Sequence, residues 1–293
     1  MNQTMKTMGR TAALLTAATV MQGLAYAGDR DDDRRGGSRG SDCSLTIVGL
    51  TADQRIIKLK ECDPTYPRSV RGISGLTGTD NKIVGIDYRV QDGKLYGVGN
   101  AGGIYAIDPN TGVATKFRQL TVGLLGDFFA VDFNPAADAL RILSSSGQNL
   151  RHPFAAADAA TLIDTPTNYT AGTTAMGITA AAYTNNDTTL DTGTMLFNID
   201  SALNQLNLQV PPNAGSLVRV GTLGIDPGSQ VGFDIYTTVK NEAAYDNTGY
   251  ATLVVDGVTR LYEINLLTGR AEKIDLIRDT VVDIALPVEQ SRR

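Results

Sequence analysis

The residue types on which most enzyme active sites depend are scarce in this chain. Its 293 residues include one histidine, His152, and two cysteines, Cys43 and Cys62. A Ser-His-Asp triad would need His152 as its base, but the serines at 144–146 do not lie in the G-x-S-x-G turn that presents a hydrolase nucleophile. Zinc sites are built mainly from His and Cys, which are too few here. We therefore assign no catalytic residue, and the sequence favours a protein that is not an enzyme.

Aspartate is the acidic residue that recurs in a pattern. Four short segments that resemble one another carry Asp87, Asp132, Asp234 and Asp283. If these segments are equivalent units of a ring, the four carboxylates lie around one axis and could bind Ca²⁺, which prefers oxygen ligands. The alternative is structural, because aspartates at repeated positions often bond backbone N–H groups, and four unpaired carboxylates would repel one another. The sequence leaves both interpretations open, and Ca²⁺ is the one cofactor that it suggests.

A second set of polar side chains departs from the repeated pattern. Its members are Arg, Asn and Gln, which supply the hydrogen bonds used to recognise carboxylates, phosphates and sugars. Because function resides in sites added to a fold, we predict a ligand-binding site here. The set consists of Arg141, Gln148, Asn149, Arg151, Asn185, Asn186, Gln209 and Asn213. The alternative is that these are ordinary turn residues and that Arg141 pairs with Asp138.

The elements that must position these side chains are β-strands. Short β-branched or alternating runs separated by Gly, Asn and Asp continue from residue 45 to the C-terminus without a helical period. Two stretches share a longer pattern that ends in a Thr-Gly turn, at residues 104–114 and 261–271. Five short segments, spaced about 45–50 residues apart, resemble one another. They are residues 84–88, 130–134, 180–184, 232–236 and 281–285.

The two ends of the chain indicate how these units close into a ring. The last segment stops after one strand, while residues 45–76 lack that opening strand and supply the other strands of a blade. The predicted fold is all-β, a β-propeller-like ring of about five four-stranded blades. The C-terminal strand would close the ring by pairing with the N-terminal blade. A sixth blade is the alternative if residues 164–179 conceal one, and an irregular β-sandwich is another.

The N-terminal residues have the pattern of a secretory signal peptide over residues 1–27. Lys6 and Arg10 precede an apolar run at 11–24, and Ala-Tyr-Ala at 25–27 fits a cleavage site. We therefore expect an exported protein, periplasmic or extracellular. No later apolar stretch is long enough to span a membrane, so we expect no membrane span in the mature form.

The mature chain divides into a tail and one domain. Residues 28–42 contain no apolar side chain, so we expect a disordered charged tail, followed by a single propeller-like domain at 43–293. Cys43 and Cys62 are predicted to pair as a disulfide in the oxidising compartment.

Several short motifs, taken in order, resemble one bacterial family. They are residues 85–89 (GIDYR), 132–135 (DFNP) with Asp138 and Arg141, 147–151 (GQNLR), 182–186 (AYTNN), Gln209 with 211–213 (PPN), and 232–235 (GFDI). Over about residues 45–286 this ordered set is similar to the domain-of-unknown-function family numbered 4394 (DUF4394). The resemblance implies a β-propeller-like exported protein. It implies no activity, because the family has none assigned.

The charge of the chain narrows the range of partners. A net charge of −5 gives no general attraction to phosphate backbones, so we expect no nucleic-acid partner. The sequence favours a non-catalytic binding or interaction module for a small polar ligand or an envelope partner. Two alternatives stay open: a Ca²⁺-dependent propeller hydrolase of the lactonase or esterase type, and a structural protein of the envelope or matrix.

Overall fold

Strands make up nearly all of the secondary structure. A computed structural model describes residues 44–187, 189 and 192–288. These residues form five four-stranded antiparallel sheets, one two-stranded hairpin and one short 3-10 helix. Each sheet is one blade of a ring, which confirms the predicted all-β propeller and gives five blades. Within the described ranges, no helix has the length and apolar character needed to cross a membrane.

Each blade has four strands in order, from an inner strand beside the ring axis to an outer strand at the rim. Blade 1 consists of β22 (Val281–Ala285), β1 (Thr46–Thr51), β2 (Arg55–Lys60) and β3 (Ser69–Gly72). Blade 2 consists of β4 (Ile83–Arg89), β5 (Lys94–Gly99), β6 (Gly103–Ile107) and β7 (Ala114–Gln119). Blade 3 consists of β8 (Phe129–Asn134), β9 (Ala139–Ser144), β10 (Asn149–Pro153) and β11 (Leu162–Ile163).

Blades 4 and 5 follow after a short insertion. The insertion is a hairpin of β12 (Asn168–Thr170) and β13 (Thr173–Thr174). Blade 4 consists of β14 (Ile178–Tyr183), β15 (Leu196–Asp200), β16 (Gln205–Gln209) and β17 (Leu217–Thr222), with the 3-10 helix Pro212–Ala214 before its last strand. Blade 5 consists of β18 (Val231–Lys240), β19 (Ala243–Val255), β20 (Val258–Ile264) and β21 (Ala271–Leu276).

The ring closes through its inner strands. These strands contact one another in a cycle, from β22 to β4, β8, β14 and β18 and back to β22. The C-terminal strand β22 belongs to the N-terminal blade, where it pairs antiparallel with β1 so that Ala285 lies opposite Val48 and Asp283 opposite Leu50. The predicted closure is therefore confirmed.

The repeated Thr-Gly turns of blades 2 and 5 explain why that part of the repeat is maintained. In each turn the glycine N–H bonds the carbonyl of the first turn residue, Gly112 to Asp108 and Gly269 to Asn265, both at 2.8 Å. The two glycines have φ values of 75° and 78°, a conformation that glycine adopts without a Cβ clash. A Cβ on them would lie 2.3 and 2.6 Å from a backbone oxygen of the preceding blade's outer strand. These turns therefore fasten one blade against the next.

The apolar core lies between neighbouring blades. Between blades 2 and 3, for example, Tyr96, Phe133 and Leu150 are buried in one cluster. The cluster between blades 3 and 4 is smaller, and Ala130 and Ala181 are among its members. Polar side chains fill much of the remaining space at that interface. The repeat is thus least regular between blades 3 and 4.

Candidate binding cavity at the ring axis

A cavity of about 180 Å³ opens at the end of the ring where the inner strands begin. Every blade contributes to it, because each inner strand is entered from the same side of the ring. Loops carried on one face of a rigid scaffold are a common place for binding sites. The volume is below the range of about 300–1,000 Å³ that is typical for drug-sized ligands. The cavity is lined by Ala52, Gln54, Lys82, Ile83, Val84, Asp127, Phe128, Phe129, Thr179, Ser229, Gln230, Val231 and Val282.

Three of the lining side chains come from irregular positions of the inner strands. The pairing between the first and second strands shifts at Val282 in blade 1, at Val84 in blade 2 and at Thr179 in blade 4. β-bulges change the direction of a side chain and are frequent next to functional sites. Here the bulged residue of three separate blades lies in the wall of one cavity.

The polar side chains of the wall differ in whether the protein itself satisfies them. Gln54 bonds the backbone of Ile83 twice, from Nε2 to the carbonyl oxygen (3.1 Å) and from the Ile83 N–H to Oε1 (2.6 Å). Lys82, Asp127 and Ser229 line the cavity as exposed side chains. Within the part of the chain that the structure describes, none of these three side chains forms a hydrogen bond or an ion pair. Their polar groups are therefore available to a ligand.

Thr179 is the polar residue of the wall that is fully enclosed. Its side chain is 2% exposed, and its Oγ1 has no hydrogen-bond partner among the described residues. Leaving a buried hydroxyl unsatisfied costs about 1–3 kcal/mol, so such groups are rare in folded proteins. The Thr179 Oγ1 has less than 1 Å² of accessible surface, so the hydroxyl lies just behind the surface of the wall.

Beyond the cavity, the four repeated aspartates lie buried on the inner strands. The inner edge of each of these strands has no neighbouring strand to accept its N–H groups. Each aspartate accepts a backbone N–H from the next blade around the ring. The bonds join Asp87 to Phe133 (2.6 Å), Asp132 to Tyr183 (2.9 Å), Asp234 to Leu286 (2.5 Å) and Asp283 to Ile86 (2.8 Å).

Burial raises the pKa of all four aspartates. The pKa of Asp234 rises to about 7. Burial, followed by repulsion from neighbouring carboxylates, holds the pKa values of Asp87 and Asp132 well above their usual range, although N–H donors oppose the rise. The cluster therefore retains bound protons near neutral pH and carries less charge than four carboxylates would.

The aspartate cluster has the geometry for both predicted roles, cation binding and the bonding of backbone N–H groups. One oxygen from each of Asp87, Asp132 and Asp234 lies within 4.8 Å of the other two, a group that could hold a cation. The same carboxylates accept the N–H bonds that join the blades. The aspartates thus have a demonstrated structural contact, and the Ca²⁺ site stays a prediction.

The predicted Arg, Asn and Gln site is only partly brought together. Arg141 is buried, and its guanidinium bonds Asn149 (2.7 Å), Asn213 (2.7 Å) and Asp164 (2.6 Å). Arg151 reaches the same Asp164 carboxylate at 3.2 and 3.3 Å. This group fills the interface between blades 3 and 4 and is satisfied within the protein. The alternative pairing of Arg141 with Asp138 is wrong, because Asp138 pairs with Arg89 at 2.7 Å.

The other members of that set hold loops in place. Gln148 bonds the backbone of Gly123 and Leu125, in the loop before blade 3. Gln209 donates to the carbonyl of Pro212 (2.6 Å), next to the Arg141 group. Asn185 and Asn186 lie at another junction and contact blade 5: Asn185 bonds Asn247, and Asn186 bonds Thr237 and the carbonyl of Ile235. The eight residues therefore do not surround one pocket.

The predicted disulfide falls partly outside the described residues. Cys62 is exposed in the turn that follows β2. Cys43, like the predicted signal peptide and charged tail, lies outside the residues that the structure describes. The pairing of the two cysteines stays a prediction.

The fold is a five-bladed β-propeller with a small cavity at one end of its axis. The chain belongs to the family described as "Domain of unknown function (DUF4394)", which matches residues 55–285. The resemblance found in the short motifs is therefore confirmed over most of the domain. No curated protein matches the chain.

Several solved structures are similar to parts of this chain at low sequence identity. A protein of unknown function from Bacteroides thetaiotaomicron is 15% identical, with a TM-score of 0.45 over 84% of this chain and 60% of that one. An auxiliary nutrient binding protein from Bacteroides ovatus is 13% identical, with a TM-score of 0.44 over 70% and 55%. Hydrazine synthase from Kuenenia stuttgartiensis is 11% identical, with a TM-score of 0.43 over 70% and 51%. This chain thus spans about half to three-fifths of those proteins.

The residues of the cavity wall escaped the sequence analysis. Lys82 directly precedes the inner strand of blade 2, Ser229 stands two residues before that of blade 5, and Asp127 two residues before that of blade 3. A comparison of the positions just before each repeated segment would have found them, since loops at the same point of each repeat meet on one face of a ring. The bulge at Thr179 leaves no such signal.

Proposed function

We propose that this protein is a non-catalytic binding module that holds a small polar ligand in its axial cavity. The observation that carries the proposal is the open axial cavity, to which all five blades contribute and whose wall includes polar side chains with no bond among the described residues. Buried polar groups in folded proteins nearly always have a partner, so the unpartnered hydroxyl of Thr179, just behind the wall, is a group whose bond a ligand in the cavity would supply.

Two further features support a ligand in this place. The exposed polar groups of Lys82, Asp127 and Ser229 meet around the same opening. By contrast, the buried Arg141 is bonded to side chains of its own protein. A preformed cavity with a few polar groups and apolar walls is the usual form of a small-molecule site.

A pair of matched variants tests the proposal. Thr179→Val and Thr252→Val each remove a buried hydroxyl that has no partner in the described structure, but only Thr179 lines the cavity. A library of small polar metabolites is screened by the shift of the thermal unfolding midpoint, since a compound that binds only the folded state raises it. We expect at least one compound to stabilise the wild-type protein and Thr252→Val, and to lose at least tenfold in affinity for Thr179→Val.

Two outcomes would contradict this assignment. If both threonine variants lose the same affinity, the hydroxyl of Thr179 has no special part in binding. If no compound stabilises the wild-type protein, the cavity is not a small-ligand site.

The convergence of Asp87, Asp132 and Asp234 favours a second candidate, Ca²⁺ binding with hydrolysis of a lactone or ester as its chemistry. Thermal unfolding in excess Ca²⁺ and in EDTA tests it. Because the carboxylates accept backbone N–H bonds and retain protons, we expect the midpoint to stay unchanged. A rise in the midpoint with Ca²⁺ that Asp132→Asn abolishes would place this candidate first.

We also propose that the protein acts outside the cytoplasm. The basic residues, apolar run and Ala-Tyr-Ala sequence at the N-terminus support this location. N-terminal sequencing of the protein recovered from cell fractions should find Gly28 as the first residue in the exported fraction. Recovery of the intact chain from the cytoplasm alone would contradict the proposal.

A further inference from the structure

The cavity wall carries two side chains of opposite charge. Lys82 stands at the entrance to blade 2 and Asp127 at the entrance to blade 3, so they come from neighbouring blades. Both are exposed, and no ion pair of either one is formed within the described residues. Two opposite charges that line one small cavity without pairing can each face a different group of the same ligand.

These two charges select against a ligand that carries only one charged group. An anion would be attracted by Lys82 and repelled by Asp127, and the reverse holds for a cation. A molecule that carries both an anionic and a cationic group can complement both side chains. It also loses the least on entering, because neither charged residue of the wall is left without a partner.

The remaining wall indicates the rest of the ligand. Val84, Phe129, Val231 and Val282 present apolar surface. The Thr179 hydroxyl can donate to an anionic group or accept from a cationic one. A volume of about 180 Å³ has room only for a small molecule. The wall therefore suits a compact zwitterion with a short apolar side chain.

We propose that the axial cavity binds a free α-amino acid with an apolar side chain, its carboxylate facing Lys82 and its ammonium group facing Asp127. This proposal rests on the proposed function of the cavity as a small-ligand site. The apolar side chain would lie against the valines and Phe129, and Thr179 would bond one of the two charged groups.

Four compounds separate the contributions of the two charges. They are leucine, isopentylamine, which lacks the carboxylate, isocaproate, which lacks the ammonium group, and glucose, which is polar and uncharged. Their affinities for the full-length mature protein are measured by calorimetry near neutral pH. We expect leucine to bind at least tenfold more tightly than each of the other three.

Variants of the wall assign each charge. We expect Lys82→Met and Asp127→Asn each to weaken leucine binding at least tenfold. Lys82→Met should not weaken isopentylamine binding, and Asp127→Asn should not weaken isocaproate binding, because each change removes a charge of the same sign as the analogue. Lys94→Met and Asp256→Asn serve as controls, because these exposed residues lie outside the cavity and should not alter leucine binding.

The outcomes distinguish this proposal from the one on which it rests. If a one-charge analogue or glucose binds as tightly as leucine, and Thr179→Val weakens that binding, the zwitterion is wrong while the cavity remains a binding site. The zwitterion is also wrong if the control variants weaken leucine binding as much as the cavity variants do. If none of the four compounds binds and the metabolite library also fails, both proposals are wrong.

Discussion

Arg141 is the largest of the fully buried side chains, and its environment shows how this protein accommodates an interior charge. The guanidinium is held between Asp164, two asparagine oxygens and the Tyr183 hydroxyl, which accepts from Nε at 3.2 Å. The interacting groups come from blades 3 and 4 and from the segments between their strands. Arg141 thus joins the two blades where the apolar cluster between them is smallest.

Replacement of Arg141 should destabilise the fold strongly. Arg141→Met leaves the buried carboxylate of Asp164 with Arg151 as its remaining cation, and two asparagine oxygens lose their donor. Removing one partner of a buried ion pair typically costs about 3–5 kcal/mol. Urea unfolding of the variant and of the wild-type protein measures this difference.

Arg68→Met is the matched control. Arg68 pairs with Asp63 on the surface, where both side chains are more than half exposed. Such pairs contribute at most about 1 kcal/mol. Equal losses for the two variants would show that the Arg141 network does not support the structure in this way.

The buried aspartates should make stability depend on pH in a defined direction. The pKa of Asp234 is about 7 in the folded protein and near 3.8 in the unfolded chain. Between these values the folded state binds more protons, so the free energy of unfolding should fall as the pH rises from about 4 to about 7. One such group contributes a slope of at most about 1.4 kcal/mol per pH unit.

Asp234→Asn isolates this contribution. An asparagine does not titrate, so the fall in stability across the window should be shallower than in the wild-type protein. Asp256→Asn, at an exposed turn, should leave the pH dependence unchanged. Urea unfolding at several pH values provides the comparison, and a stability that rises with pH through the window would refute the expected sign.

At the scale of elements, the closing strand β22 has a larger role than its five residues suggest. It supplies the inner strand of blade 1, and Asp283 on it bonds the N–H of Ile86 in blade 2. On its other side, Leu286 donates to Asp234 of blade 5. The loss of β22 would therefore expose an edge of β1 and remove the axial bonds on both sides of blade 1.

A deletion and a circular permutant test the role of this strand. A chain that ends at residue 280 should lose its cooperative unfolding transition. The two ends of the domain leave paired strands at Ala285 and Val48, so a short flexible linker is expected to join residue 288 to residue 44. A permutant joined there and opened between Ala156 and Ala157, in an exposed loop, should keep the wild-type transition. If the deletion unfolds like the wild-type chain, β22 is not needed for closure.

The repeat made the blades predictable from the sequence. The segments at 84–88 and 281–285 resemble each other because both form inner strands at equivalent positions of their blades. The Thr-Gly turns recur because each one packs against the outer strand of the preceding blade. An incomplete unit at each end of the chain indicated the closure. These features follow from local sequence, which a one-dimensional comparison can detect.

The same comparison of repeated segments could not predict the cavity. Arg141 and Asn149 looked like ligand-binding residues, but only the packing of blade 3 against blade 4 shows that they bond each other. Thr179 looked ordinary, because its importance comes from a bulge and from the absence of a neighbour in space. Whether a polar group is satisfied is a property of the fold and not of the residue type.

At the scale of the whole molecule, the cavity is assembled from every blade. Val282 comes from the last strand of the chain, while Gln54 comes from the first hairpin of the same blade. The site therefore exists only when the ring is closed. Binding of a ligand there should stabilise the complete ring in preference to any open form, by an amount that grows with the logarithm of the free ligand concentration relative to Kd.

The aspartate bonds around the axis are not fully symmetric. Blades 1, 2, 3 and 5 each reach the next blade through an aspartate, but the inner strand of blade 4 reads ITAAAY and has none. The circuit of aspartate bonds is thus interrupted between blades 4 and 5, where Asn186 instead bonds Thr237 and the carbonyl of Ile235. This junction is therefore held by amide and hydroxyl groups that do not titrate, so a change of pH that ionises the four aspartates would act on the other four junctions alone.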